Sequence, residues 1–96
     1  MNYSFHPAAE REFSHAIDYY ETCRTELGFE FATEVYLAIV RAVYHPKTWG
    51  VFEGEIRRVL VHRFPYSILY SEEENEIFII AVMHLHRKPG YWKKRN

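Results

Sequence analysis

Apolar and polar residues change their spacing along the chain, and the changes mark the elements. "NYSF" (2–5) alternates and predicts a short strand at a sheet edge. Pro7 follows, suited to the first position of a helix, where its missing N–H costs nothing. From there Ala9, Phe13, Ala16, Ile17 and Tyr20 fall on one helical face, with Glu10, Ser14, Asp18 and Glu21 outside it. Gly28 interrupts, and a second helix carries Ala32, Val35, Tyr36, Ile39, Val40 and Val43 on one stripe. It ends near His45, which precedes Pro46 and is pushed out of the helical region. From residue 55 the spacing becomes that of strands. "EIRRVLVHRF" (55–64), "YSILY" (66–70) and "EIFIIAVMHLH" (76–86) are rich in β-branched and aromatic residues, with the polar turn "SEEENE" joining the last two.

The order βααβββ with short connections predicts an α+β fold: a helical hairpin packed on one face of a twisted, mostly antiparallel sheet. Residues 1–96 make a single domain, with a basic C-terminal tail from about 87 to 96. Within the second helix, "VYLAIVRAVY" (35–44) is apolar apart from Arg41, so Leu37 and Tyr44 lie off the main stripe. They are covered by the first helix or form a groove for another chain.

Composition adds three points. Hydrophobic residues at 48% and aromatics at 18% indicate a globular chain, and the lone Cys23 makes no intramolecular disulfide. Without an apolar leader at its start or a run long enough to span a bilayer, the chain reads as a soluble protein of the reducing cytoplasm, with no membrane partner. The net charge of -1 hides an asymmetry: residues 1–56 hold four Lys/Arg against nine Asp/Glu, and residues 57–96 hold eight against four. Such polarity is expected to steer a negatively charged partner to one face.

The candidate chemistry gathers at the end of the last strand. Alternation places Ile77, Ile79, Ala81, Met83 and Leu85 on one face, and Phe78, Ile80, Val82, His84 and His86 on the other. With sequential strand pairing, Arg58, His62, His84, His86, Arg87 and Tyr91 are expected to converge at one end of the sheet. Imidazole suits proton transfer near neutral pH and arginine suits a phosphate, so the cluster fits ribonuclease chemistry. The His84-x-His86 pair lacks the further ligands of a metal site, and no metal or other cofactor is expected. Tyr91 and Trp92 either stack on bases or anchor a protein interface, unless Trp92 folds back over the core. No phosphate-binding glycine loop, dinucleotide fingerprint or nucleophile elbow is present.

Five blocks, "FHPAAEREFSHAIDYYE", "LGFEFATEV", "HP", "IRRVLVHRFPYSILY" and "IIAVMHLHRKPGYW", resemble in order the RelE/ParE superfamily of bacterial type II toxins, over roughly residues 3–92. The resemblance implies a growth inhibitor silenced by a cognate antitoxin whose C-terminal segment wraps its helices and sheet, with Leu37, Arg41 and Tyr44 as antitoxin contacts. Superfamily members either poison DNA gyrase, as ParE does, or cut mRNA on the ribosome, as RelE does. Arg87 and Tyr91 match a nuclease arginine and tyrosine, whereas Ser67 and Leu85 stand where such nucleases carry arginines, and Arg58 and Leu60 where they carry lysines. The ParE-like reading is preferred, with the mRNA endoribonuclease as the alternative. For a nuclease, the implied catalytic residues are His84, His86, Arg87 and Tyr91. The implied target-binding residues are Arg58, His62, Arg87, Lys88, Tyr91, Trp92, Lys93, Lys94 and Arg95. Deleting residues 91–96 is expected to abolish toxicity and leave the fold.

Overall fold

A computed structural model describes residues 2–88 and 90–95. Pro89 and Asn96 of the tail therefore lie outside the described residues. The elements are β1 (Asn2–Phe5), α1 (Pro7–Cys23), α2 (Leu27–Tyr44), β2 (Val51–Glu53), β3 (Ile56–Leu60), β4 (Tyr66–Glu73), β5 (Glu76–His84) and a 3-10 turn at Lys93–Arg95. The strands form one sheet in the order β1-β5-β4-β3-β2, antiparallel except where β1 runs parallel to β5.

The α+β architecture is the one expected, with one strand more. β2 is only three residues long, too short for alternation to reveal. The other strands are trimmed: β3 stops at Leu60, Arg63 in the next loop takes φ 73°, and β5 stops at His84 rather than His86. Pro7 opens α1 as predicted, and the ring Nδ1 of His6 caps it by accepting from the Ala8 N–H at 3.0 Å. The start of α2 has no capping side chain of its own. Glu21 supplies one from α1, accepting from the N–H groups of Glu26 (2.9 Å) and Gly28 (3.0 Å). A Cβ on Gly28 would meet the Ile17 carbonyl oxygen at 2.6 Å, so glycine is what lets the two helices approach here.

Two apolar layers sandwich the sheet. On the helical side Phe13, Phe31, Val35 and Ile39 meet Val59, Ile68, Tyr70, Ile77, Ile79 and Val82. On the other side Ile56, Leu69, Ile80, Ala81 and Met83 pack under Trp92. The expected assignment of faces along β5 holds as far as Ile80 and fails from Ala81 onward. Leu69 pairs with Ala81 and Tyr70 with Ile79, leaving Ile80 as an unpaired extra residue. This β-bulge shifts the alternation by one. Val82 thus joins Ile77 and Ile79 on the helical side, and Met83 joins Ile80 opposite.

Candidate functional site

Past β5 the chain turns back over the sheet. Leu85 N–H donates to the Pro65 carbonyl at 2.8 Å, and Arg87 N–H to the His84 carbonyl at 3.0 Å. Trp92 is 1% exposed, its ring 5.8 Å from that of Phe52. It is therefore a lid over Ile56, Leu69, Ile80 and Met83, not the surface anchor among the expected target-binding residues. The reason is apolar area: without it this face of the sheet would stand bare, and a buried aromatic ring removes about 150–250 Å² from water. The expectation that residues 91–96 are dispensable to the fold fails for the same reason.

Arg95 fixes the end of the lid. Its Nη1 and Nη2 donate to the two carboxylate oxygens of Glu12 at 2.9 and 3.0 Å, and Nη1 also reaches the Ile80 carbonyl at 3.1 Å. Glu12 in turn accepts from the Val82 N–H at 3.1 Å. β1 runs beside β5 only as far as Ile79, so beyond it the backbone groups of Ile80 and Val82 have no strand neighbour on that edge. The Glu12–Arg95 pair satisfies both. Two guanidinium groups lie over the Tyr91 ring, Arg87 at 3.6 Å and Arg95 at 4.9 Å from its centre. Burial, reinforced by the charge of Glu12, pushes its phenol up to about 12. The Tyr91 hydroxyl, the Trp92 indole nitrogen and the Ser67 hydroxyl are buried with no hydrogen-bond partner. Lys93 pairs with Glu53 at 3.3 Å, and Lys88 and Lys94 are exposed.

His84 sits with its ring 5.1 Å from Tyr66 and 5.4 Å from His86. Its Nδ1 accepts from the His86 N–H at 3.0 Å, so in the neutral ring the proton resides on Nε2. A cleft of about 240 Å³ opens beside it, lined by Glu12, His15, Tyr19, Tyr66, His84 and Arg87. Three of these, Glu12, His15 and Tyr19, were not singled out by the sequence. Their i, i+3, i+7 spacing on α1 is the signal that would have found them.

The remaining candidates lie elsewhere. Arg58 and His62 line a second cleft of about 350 Å³ with Arg41, Trp49, Phe52 and Leu60, and the Arg58 guanidinium lies 5.0 Å over Phe52. The two clefts share no lining residue. The expected convergence of Arg58 with His84 therefore does not occur, because Arg58 pairs with Leu69 on the Trp92 face of the sheet while the bulge at Ile80 puts His84, paired with Tyr66, on the helical face. Leu37 and Tyr44 are exposed on α2, beside Tyr36 and Val40. Arg41 is engaged within the chain, its Nη2 donating to the Leu60 carbonyl at 2.9 Å. Among the described residues no group of three or more His, Cys, Asp or Glu side chains is placed to hold a metal.

No family model and no curated protein matches the chain. Among solved structures it is similar to a chain of the chromosomal ParDE TA (toxin–antitoxin) system from P. aeruginosa, with a TM-score of 0.63 and 19% identity, over 90% of this chain and 97% of that one. At this identity the likeness is one of fold.

Proposed function

We propose that the chain is the toxin of a type II toxin–antitoxin system, silenced by a cognate antitoxin, and that it acts in the cytoplasm as ParE-like toxins do, by binding DNA gyrase. The fold shared with a chain of a ParDE system supports the general reading. One observation carries the preference for a binding inhibitor over a nuclease. At three of the positions where RelE-like nucleases carry arginines or lysines, this chain has Ser67, fully buried, and the aliphatic Leu60 and Leu85, half exposed at 50% and 43%, while Arg58 keeps a cation at another. Each missing charge-assisted contact is worth about 1.5–3 kcal/mol. Tyr91, the matching tyrosine, has two guanidinium groups over its ring, and burial holds its phenol protonated far above neutral pH.

The antitoxin is proposed to cover the apolar surface of α2, where Tyr36, Leu37, Val40 and Tyr44 are 44–74% exposed. That surface continues into a cleft of about 660 Å³ with Tyr3 on its far wall. Among the described residues no helix is long and apolar enough to cross a membrane.

Pulse-labelling after tightly controlled induction in a bacterial host tests the reading. Thymidine incorporation is expected to fall within minutes while amino-acid incorporation persists. An early fall in amino-acid incorporation instead would replace gyrase by ribosome-bound mRNA. Continued growth with both labels incorporated would overturn the toxin reading itself.

A further inference from the structure

The outer edge of β3 is only partly covered. β2 pairs with it through Val51 and Glu53, and the last bond along that edge runs from the Arg58 N–H to the Gly50 carbonyl at 3.0 Å. In an antiparallel ladder, alternate residues turn their backbone groups to opposite neighbours. Val61 donates to the Tyr66 carbonyl on the β4 side, so Leu60, like Arg58, faces outward. The Leu60 carbonyl accepts from Nη2 of Arg41 at 2.9 Å, and among the described residues nothing accepts from the Leu60 N–H. The cleft of about 350 Å³ opens at this point, where a strand neighbour of Leu60 would run.

Its walls carry charge of one sign only. Arg41 and Arg58 bring two guanidinium groups and His62 an imidazole, and no acid lines the cleft. Among the described residues neither arginine is in an ion pair. Both are nevertheless held in place, Arg41 by its bond to Leu60 and Arg58 by stacking 5.0 Å over the Phe52 ring. Stacking consumes none of the N–H groups of Arg58. The rest of the wall is apolar. Trp49 is fixed there, its Nε1 donating to the Arg41 carbonyl at 3.0 Å and its own carbonyl accepting from Arg57 at 2.7 Å. Val51 and Leu60 are 59% and 50% exposed beside it. Fixed donors around uncompensated cations suit an oxyanion, and the guanidinium fork matches a carboxylate. The apolar wall selects an anion with an apolar body over a bare hydrated ion. The volume lies within the ~300–1,000 Å³ that holds a small molecule. A second copy of the chain would bring the same two arginines to the same edge, and their repulsion opposes pairing of the two edges.

We infer that this cleft is a binding site for a small organic carboxylate, its oxygens held by Arg41, Arg58 and the Leu60 N–H and its apolar body lying against Trp49 and Leu60. The test is a titration of the purified chain, which requires no toxicity and so stands or falls separately from the proposed function. Isotope labelling of leucine alone gives five backbone amide signals in NMR, from Leu27, Leu37, Leu60, Leu69 and Leu85. These are followed as phenylbutyrate, its neutral amide, acetate and inorganic phosphate are added to separate samples. Phenylbutyrate is expected to shift the Leu60 signal saturably while those of Leu27 and Leu37, on α2, stay. Acetate, without the apolar body, is expected to bind about tenfold or more weakly, and the neutral amide to leave Leu60 unmoved. Arg58→Gln is expected to weaken phenylbutyrate binding about tenfold or more, the equivalent of one charge-assisted contact. Arg58→Lys, which keeps the charge without the fork, restores part of it. Val51→Asp places an acid among the cations at an exposed edge position and is expected to abolish binding, with the unfolding midpoint in urea showing that the fold is retained. A Leu60 signal that phenylbutyrate does not move, equal binding of the acid and its amide, unchanged binding by Arg58→Gln, or tighter binding of inorganic phosphate than of phenylbutyrate would overturn the inference.

Discussion

Replacing Glu12 by alanine should reveal how firmly the C-terminal lid is held. The carboxylate receives two charge-assisted hydrogen bonds from Arg95 and one from the Val82 N–H, and both Glu12 and Arg95 side chains are only 15% exposed. Two charge-assisted bonds at about 1.5–3 kcal/mol each set an upper range of about 3–6 kcal/mol. Residual solvent access and relaxation of the freed arginine reduce this, and losing one partner of a fully buried pair costs about 3–5 kcal/mol. We therefore expect Glu12→Ala to destabilise the fold by about 2–4 kcal/mol, between the fully buried case and the 0–1 kcal/mol of an exposed pair. The protein carries its own control. Lys47 and Glu72 approach equally closely, 2.9 Å, with side chains 78% and 30% exposed, and Lys47→Ala should change stability by less than about 1 kcal/mol. Urea unfolding of both variants, of Arg95→Ala and of the Glu12→Ala/Arg95→Ala double variant measures the free energies and the coupling between the two sites. A loss below 1 kcal/mol for Glu12→Ala, or a coupling near zero, would refute the latch.

Trp92→Ala opens the lid from its other end and should cost about 3–5 kcal/mol, with a hydrophobic dye binding to the uncovered Ile80 face; retention of wild-type stability in urea would contradict the two-layer core. Tyr70 and Tyr91 both have phenols pushed up to about 12 by burial, Tyr70 while donating to the Pro46 carbonyl at 2.8 Å. The unfolded chain releases these protons near pH 10 and the folded one near 12, so stability is fully present below about pH 10 and falls as pH rises from there to 12. Tyr91→Phe should flatten that fall, and a phenolate absorbance titration showing no tyrosine above 11 would refute the shift. Gly28→Ala pushes a methyl against the Ile17 carbonyl and should cost about 1–3 kcal/mol by thermal unfolding. Tyr44→Asp, at 74% exposure, should change stability by less than about 0.5 kcal/mol yet abolish neutralisation by co-expressed antitoxin; unchanged growth rescue would remove Tyr44 from that surface.

What the sequence revealed and what it hid follow physical lines. Both helices were legible because each repeats its apolar spacing over several turns, and Pro7 and Pro46 mark their outer ends; Gly28, read as the break between them, lies in the first turn of α2, and the break falls before it at Glu26, with φ 71°. β3, β4 and β5 were legible as apolar strands joined by polar turns. β2 was not, since three residues carry no period. The bulge at Ile80 was hidden because an extra residue in an unbroken apolar run leaves the composition unchanged while moving everything after it to the other face. That single step separated His84 from Ile80, which alternation had placed together. The lid was hidden for a different reason: a tryptophan among lysines has the local pattern of a surface anchor. Only the three-dimensional need to cover Ile56, Leu69, Ile80 and Met83 decides its place. Glu12, the residue that satisfies the β5 edge, lies 70 residues before the Val82 N–H it accepts from and was invisible to local reading.

The charge asymmetry of the chain takes on a different meaning once it is folded. Of the seven ion pairs among the described residues, five join an acid from residues 1–56 to a base from residues 57–96: Arg63 with Glu30 and Glu34, Arg87 and Arg95 with Glu12, and Lys93 with Glu53. The topology requires this meeting. α1 lies against β5 and α2 against β3, so the acidic half of the sequence is laid over the basic half. Much of the polarity that suggested steering of an outside partner is thus complementarity between two halves of one fold. It is strongest where least exposed, at Arg95, and weak at Lys93 and Arg63, whose side chains are more than half in water. Among the tail cations Arg95 and Lys93 are occupied, leaving Lys88, Lys94 and the free edge of Arg87 to face a target. A partner drawn to this chain by charge therefore meets a narrow strip beside the lid and not the broad basic surface that the sequence implies.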